Sequence, residues 1–315
     1  MPLRTTHTST VTEDQIDHLG HMNVRFYAVN AFAATKTVID SLSGWEGPGH
    51  RVDTVYTRHH REQLLGTALE VRSGVLDATR DSMRVHHELR ATETDTLAAT
   101  FVHTVVATDD RSRHVPIGTD AVAAAHAERM ELPDYAATRS IDLDTDPHAT
   151  APSLDVVRAR GLAMRQEREV TAEECDADGR YRPEMVPMLT WGGEPLAGQE
   201  GEMLHETEDG RLMAWASMET RVHVARLPAR GDRVQSFGAG VAVHDKVTHR
   251  MLWSFDVGSG DLLTAFEAVS MAFDIRARRP MSIPDWYRTR EVERIEPDLV
   301  PSPAGIQAGA GTAST

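Results

Sequence analysis

The chain repeats itself, and that repeat constrains its fold more than any other feature. Gly66 and Gly231, Leu97 and Leu262, Asp109 and Asp274, Arg111 and Arg276, and Arg113 and Arg278 each stand 165 residues apart. Each Gly opens a strand-like run, each Leu begins another, and each Asp-x-Arg-x-Arg closes that second run. Repetition at a fixed spacing sets an architecture before any single element does. Two related units are expected, at residues 1–120 and 155–295, with a linker at 121–154 and a tail at 296–315.

Within the first unit, residues 24–42 predict a helix. Val24, Tyr27, Ala28, Ala31, Thr35, Val38, Ile39 and Leu42 recur at the spacing of one buried stripe. Ser43-Gly44 provides a stop. Four runs with period-two alternation come next, at Val52–Arg58, Ala68–Leu76, Met83–Ala91 and Leu97–Ala107. In the third, Met83, Val85, His87 and Leu89 share one face, while Arg84, His86, Glu88 and Arg90 share the other. A helix followed by a meander of antiparallel strands predicts an α+β layer, the helix covering one sheet face. The second unit repeats the strands at Met218–Arg226, Arg233–Val243, Val247–Val257 and Leu262–Asp274. Its helix is interrupted: Pro183 suits a first turn, but Gly192, Gly193 and Pro195 break the helix soon after. The linker holds a short Ala-rich helical piece, Ala121–Met130, and then Pro133, Pro147 and Pro152. The Ala/Gly/Ser/Thr-rich tail from Pro301 to Thr315 is expected to be disordered.

Charge and composition exclude several functions. The formal net charge is −15 over 315 residues. That opposes nucleic-acid binding, which needs a broad basic surface, yet a small anionic ligand needs only a few local Arg residues. With 40% hydrophobic and 26% charged residues the chain is globular. No apolar run approaches the roughly 20 residues of a membrane span. The single cysteine, Cys175, forms no internal disulfide, and the N-terminus lacks the apolar core of a signal peptide. A cytoplasmic protein is expected, with homo-oligomer formation left open.

The chemistry concentrates at Asp17-His18-Leu19-Gly20-His21-Met22-Asn23, just before the first helix. A helix N-terminus has unpaired N–H groups and a dipole that favours negative charge. A carboxylate beside such a pocket suits acyl transfer. The competing reading makes Asp17 an ordinary turn or cap residue. His18 and His21 do not by themselves make a metal site, which needs a further fixed donor, and no metal is expected. Cys175 lacks a nucleophile's partner and reads as a structural thiol.

Taken together, Asp17-x-x-Gly20-His21-Met22-Asn23-x-x-x-Tyr27 resembles the signature of hotdog-fold acyl thioesterases of the 4-hydroxybenzoyl-CoA and fatty acyl-carrier-protein kind. The helix-then-strands order resembles a hotdog, a long helix wrapped by a curled antiparallel sheet. Two copies resemble the double-hotdog form. The resemblance implies that Asp17 is the catalytic carboxylate, as nucleophile or general base. It implies that Gly20 and His21 form the turn whose N–H groups face the thioester oxygen, with Asn23 the polar residue beside it and Tyr27 the first-turn aromatic. The corresponding stretch of the second copy, Asp176-Ala177-Asp178-Gly179-Arg180-Tyr181-Arg182, replaces His21 by Arg180 and Asn23 by Arg182.

The implied function is hydrolysis of an acyl-CoA or acyl-carrier-protein thioester to free acid and thiol. No cofactor is implied beyond the coenzyme A or phosphopantetheine of the substrate, and an acyl carrier protein is the one protein partner considered. Arg58, Arg61, Arg180 and Arg182 are Arg candidates for its phosphates, Arg276, Arg278 and Arg279 could serve equally, and Tyr27 also lines the substrate. Hotdogs also include hydratases, dehydratases and non-catalytic acyl-CoA-binding proteins, so these stand as alternatives. The first copy alone is expected to form a working site, at the junction of the two halves.

Overall fold

The computed structural model describes residues 3–17, 20–45, 49–110, 112–191, 204–292 and 296–299. They fall into two compact units, residues 1–137 with 183–185, and residues 138–182 with 186–315. The first unit has strands β1 (Arg4–Thr10), β2 (Gly49–His59), β3 (Ala68–Ala78), β4 (Met83–Ala91), β5 (Thr96–Thr108) and the short β6 (His114–Val115). Its helices are α1 (Val24–Ser41) and α2 (Thr119–Ala127). The sheet order is β1-β3-β4-β5-β2, antiparallel throughout, with β6 on β5.

Helix α1 lies on one sheet face because its stripe has few places to go but inward. Tyr27, Ala31 and Ala34 pack with Leu69, Val71, Leu89, Ala99 and Phe101. Val38 and Ile39 pack with Val52, Val55, Val85 and Val105. Small Ala residues at the contact let the helix approach the strands closely. Ala121 and Ala125 of α2 join the second of these clusters. The Ala-rich piece therefore belongs to the first unit's core, and the unit extends past the boundary expected at residue 120.

The second unit has α3 (Leu154–Ala159), β7 (Ala163–Glu169), α4 (Met188–Trp191), β8 (Leu204–Glu206) and β9 (Leu212–Val224). It continues with β10 (Arg233–Val243), β11 (Val247–Asp256), β12 (Leu262–Asp274), β13 (Arg279–Pro280) and α5 (Asp285–Val292). The order is β7-β10-β11-β12-β9, the same as in the first unit, with β13 on β12 and β8 on β9. Among the described residues, the four of α4 are helical where the first unit has α1; Gly192, Gly193 and Pro195, expected to break that helix, lie outside them. Leu299 packs against Trp253 and Phe255, and Arg160 pairs with Glu296 and Asp298, so residues 296–299 belong to this unit rather than to a tail. The expected disordered stretch at 301–315 lies outside the described residues.

The sheet beneath α4 differs from the sheet beneath α1. In the first unit Val71 faces Leu89 and Leu89 faces Ala99, an apolar row under α1. At the same register in the second unit Ser236 faces Ser254 and Ser254 faces Thr264, with Gln166 beyond Ser236. A short helix leaves carbonyls without internal partners. The Leu189 carbonyl accepts from Ser254 Oγ at 2.8 Å and from the Gln166 amide. The Ser236 hydroxyl is buried without a hydrogen-bond partner among the described residues. Ser236→Ala should therefore raise stability by about 1 kcal/mol, while Ser254→Ala should lower it by about as much. Urea unfolding of the two variants checks the opposite signs.

The face of β4 away from α1 is polar but buried. Glu88 accepts from Arg90 Nε at 2.7 Å and from the Tyr135 hydroxyl, and His86 stands 3.4 Å away. Burial alone would raise the Glu88 carboxyl. Hydrogen bonds from His86, Tyr135 and Arg90, with the Arg90 charge, outweigh it and bring the group down to about 2. A carboxyl depressed in the fold contributes stability above its unfolded value, and loses it as pH falls through the folded value. The stability advantage of wild type over Glu88→Gln should thus be full near neutrality and shrink from about pH 4.5 towards 2. Denaturant titrations of both proteins across that range test it; a pH-independent difference would refute the assignment.

Candidate active site

The stretch around Asp17 is a closed turn built from its own main chain. Thr12 and Gln15 cap the one-turn 3-10 helix Glu13–Gln15 reciprocally, and Ile16 pairs with Met22 across the turn. The Asp17 amide donates to His21 O at 2.9 Å, the Gly20 amide to Asp17 O at 3.0 Å, and the Asn23 amide to Gln15 O at 2.9 Å. Gly20 has φ +85°, a left-handed conformation that costs glycine little. The chain then enters α1, where Asn23 Oδ1 accepts from the Arg25 amide at 3.0 Å. Asn23 is the helix N-cap, which leaves its side-chain N–H groups for other partners.

This turn brings an imidazole and two carboxyl side chains into a row. His21 Nδ1 is 3.2 Å from Asp17 Oδ2, and His21 Nε2 is 3.5 Å from Glu62 Oε1. Asp17 and His21 are largely buried, while Glu62 is 44% exposed at its side chain. An imidazole held between two carboxylates can take up or release a proton at either ring nitrogen. Behind the row lies Tyr27, whose phenol is 3.2 Å from Arg61 O and edge-on to the His59 ring. Burial raises the Tyr27 hydroxyl; the charges of Glu62 and Asp17 add to the effect, against a hydrogen bond with the Gln63 main chain.

Glu62 escaped the sequence reading because it sits on no motif. After β2 the His60 and Arg61 amides both donate to Ala98 O, at 2.9 and 3.1 Å. Two donors on one carbonyl break the ladder as a bulge does, and residues 60–63 swing across to the turn, where the Met22 amide donates to Gln63 O at 2.8 Å. A signal was present: the 165-residue shift sets Leu227 against Glu62 and Pro228 against Gln63, so the polarity belongs to the first copy alone.

Of the residues singled out from sequence, Asp17, Gly20, His21, Asn23 and Tyr27 come together. His18 lies outside the described residues. Arg58 does not join them. It is buried on the other face of β2, donating to Tyr135 O at 2.9 Å and Ala137 O at 2.8 Å, and so anchors the chain that leaves the unit. The Gly20 amide is also spent inside the turn, which removes it as a donor to substrate oxygen. Arg180 and Arg182 lie in the second unit, where Arg182 Nη2 donates to Glu173 O at 2.7 Å. Cys175 is buried, and burial, with Glu174 and Asp176 beside it, raises its thiol. Among the described residues no group of three or more His, Cys, Asp or Glu is arranged to hold a metal, and no helix is long and apolar enough to cross a membrane.

The second unit repeats the turn bond for bond. The Asp176 amide donates to Arg180 O at 2.8 Å, the Gly179 amide to Asp176 O at 3.0 Å, and the Arg182 amide to Glu174 O at 2.9 Å. Cys175 pairs with Tyr181 as Ile16 does with Met22. The side chains differ. Asp176 Oδ1 accepts the amides of Asp178 and Arg180, both at 2.9 Å, so its carboxylate serves the turn itself.

Residues 11–139 match the family model of the thioesterase-like superfamily. The matched stretch lies almost wholly in the first unit. No curated protein matches the chain. Among solved structures, an acyl-ACP thioesterase from Bacteroides thetaiotaomicron is 8% identical, with a TM-score of 0.59 over 85% of this chain and 97% of that one. The 12:0-ACP thioesterase from Umbellularia californica is 12% identical, with a TM-score of 0.58 over 86% of this chain and 94% of that one. At such identities the likeness is one of fold, and it runs through both units.

Proposed function

We propose that this protein is a double hotdog that hydrolyses an acyl thioester of coenzyme A or of an acyl carrier protein, releasing acid and thiol. The row Asp17–His21–Glu62 beside the N-terminus of α1, in a thioesterase-like unit, is the observation that supports it. A thioester is already an activated acyl donor, so one carboxylate and a few placed donors suffice. Asp17 attacks the acyl carbon itself or takes a proton from the water that does. His21 holds Asp17 through Nδ1 and is held in turn by Glu62. The His21 amide and the Asn23 side-chain N–H groups are the donors for the oxyanion, in place of Gly20. On the base route, collapse of the tetrahedral intermediate breaks the C–S bond, and the thiolate takes up the proton the water gave to Asp17. On the nucleophile route the C–S bond breaks as an anhydride between the acyl group and Asp17 forms. Water then hydrolyses it to free acid and the Asp17 carboxylate, its proton going to the thiolate.

The second unit retains the turn but offers no His21, Asn23 or Glu62, so the reading assigns chemistry to the first copy. Arg180 and Arg182 remain the proposed contacts to the substrate's phosphates. A panel of acyl-CoA and acyl-carrier-protein thioesters monitored for free thiol tests the function. Thiol release from at least one is expected. Hydration of an enoyl-CoA without thiol release would replace the reading by a hydratase, and binding without turnover by an acyl-CoA-binding protein.

A further inference from the structure

We infer that Gln63 is a positioning residue that aims Glu62 at His21, an inference that rests on the reading of Asp17, His21 and Glu62 given above. Gln63 is only 4% exposed, yet its side chain packs back on its own strap. Its Nε2 donates to Glu62 O at 2.9 Å and Arg61 O at 3.2 Å. The Tyr27 phenol donates to the same Arg61 O. Two successive carbonyls thus receive side-chain donors where the sheet ladder has already ended.

That arrangement has a physical reason. Arg61 and Glu62 are exposed residues whose carbonyls have left the sheet ladder, and past the bulge the buried Gln63 amide supplies a donor to each. Without it these two peptide units would rotate to meet water, and the Glu62 side chain would turn with its own carbonyl. The second copy needs no such clamp. Pro228 fixes the backbone at the position of Gln63, and Leu227, where Glu62 would be, packs against Val222, Val224 and Phe266. The clamp occurs in the copy that has a carboxylate to aim.

Gln63→Met tests this, since it keeps length and bulk and removes only the amide. With the best thioester substrate it should lower kcat roughly 10- to 100-fold, as a misplaced group does, and leave KM within about twofold. In a Glu62→Gln background the same change should cost less than about twofold, because the two act as one unit. The ring 15N resonances of His21 should move in Gln63→Met as they do in Glu62→Gln, a readout that needs no turnover. Tyr27→Phe, which removes one donor of the clamp, should shift them the same way by less, and stands in should Gln63→Met fold poorly. Equal costs in both backgrounds with unmoved His21 resonances would make Gln63 mere packing and overturn the inference. Should no thioester be hydrolysed, the functional reading fails, while the His21 resonances still decide whether Gln63 aims Glu62.

Discussion

Asp17→Asn should reduce thioester turnover at least roughly 100-fold, the scale of a lost acid–base or nucleophilic group. The amide keeps the size of the carboxylate, and the turn is held mainly by main-chain bonds from Asp17, Gly20 and Asn23, so folding should change little. A thermal melt close to that of wild type is the control. Asp176→Asn should leave most activity in place, because Asp176 accepts two amides of its own turn and faces no histidine of the kind at His21. It should instead cost a little stability, as a weakened turn does. Steady-state kinetics on both variants decide the matter. Near-equal losses would mean that both copies carry the reaction, or share it. Full activity in Asp17→Asn would return Asp17 to an ordinary turn residue.

The range of each interaction decides whether the sequence revealed it. Helix α1 was readable to within one residue because its stripe and its Ser43-Gly44 stop are local. Strands at 83–91, 233–243 and 262–274 were readable because alternation is local too. Strands β1 and β7 were missed: Arg4–Thr10 and Ala163–Glu169 are edge strands whose half-exposed polar side chains carry no apolar alternation. The polar face of β4 was visible as a face, but its burial was not, since Tyr135 meets Glu88 from a distant position in the chain. At the site, Asp17 and His21 share a motif, whereas Glu62 arrives through a bulge far along the chain, which no spacing rule anticipates. Arg58 misled for the converse reason. An arginine looks free in sequence until the carbonyls of Tyr135 and Ala137 are found at its end.

The largest stability effect is expected at Arg221. It is 1% exposed, and its Nη2 is 2.6 Å from Oε2 of Glu267, which is fully buried. Its Nη1 donates to the carbonyls of Asp142 and Thr145, at 2.5 and 3.0 Å, and Glu219 accepts the amides of Arg139 and Ser140 beside it. The pair therefore holds residues 139–145 on the second unit's sheet, as Arg58 holds 135–137 on the first. Arg221→Met removes one partner only. Glu267 is left with the His249 ring, whose Nε2 is 2.9 Å from its other oxygen. Breaking a buried pair from one side costs about 3–5 kcal/mol, because the surviving charge stays desolvated. Against a total of roughly 5–15 kcal/mol for a domain, that is enough to unfold part of the population. Urea unfolding should show the loss, and limited proteolysis should open first within 139–145, where the anchoring donors have gone. Arg221→Met with Glu267→Leu removes both charges together and should recover most of the stability, since apolar packing replaces such pairs at little cost. The double variant still lacks the donors to Asp142 and Thr145, so the 139–145 segment should remain the more easily cleaved even as the unfolding midpoint returns. A double variant no more stable than the single one would show that the anchoring bonds, rather than the buried charges, set the cost.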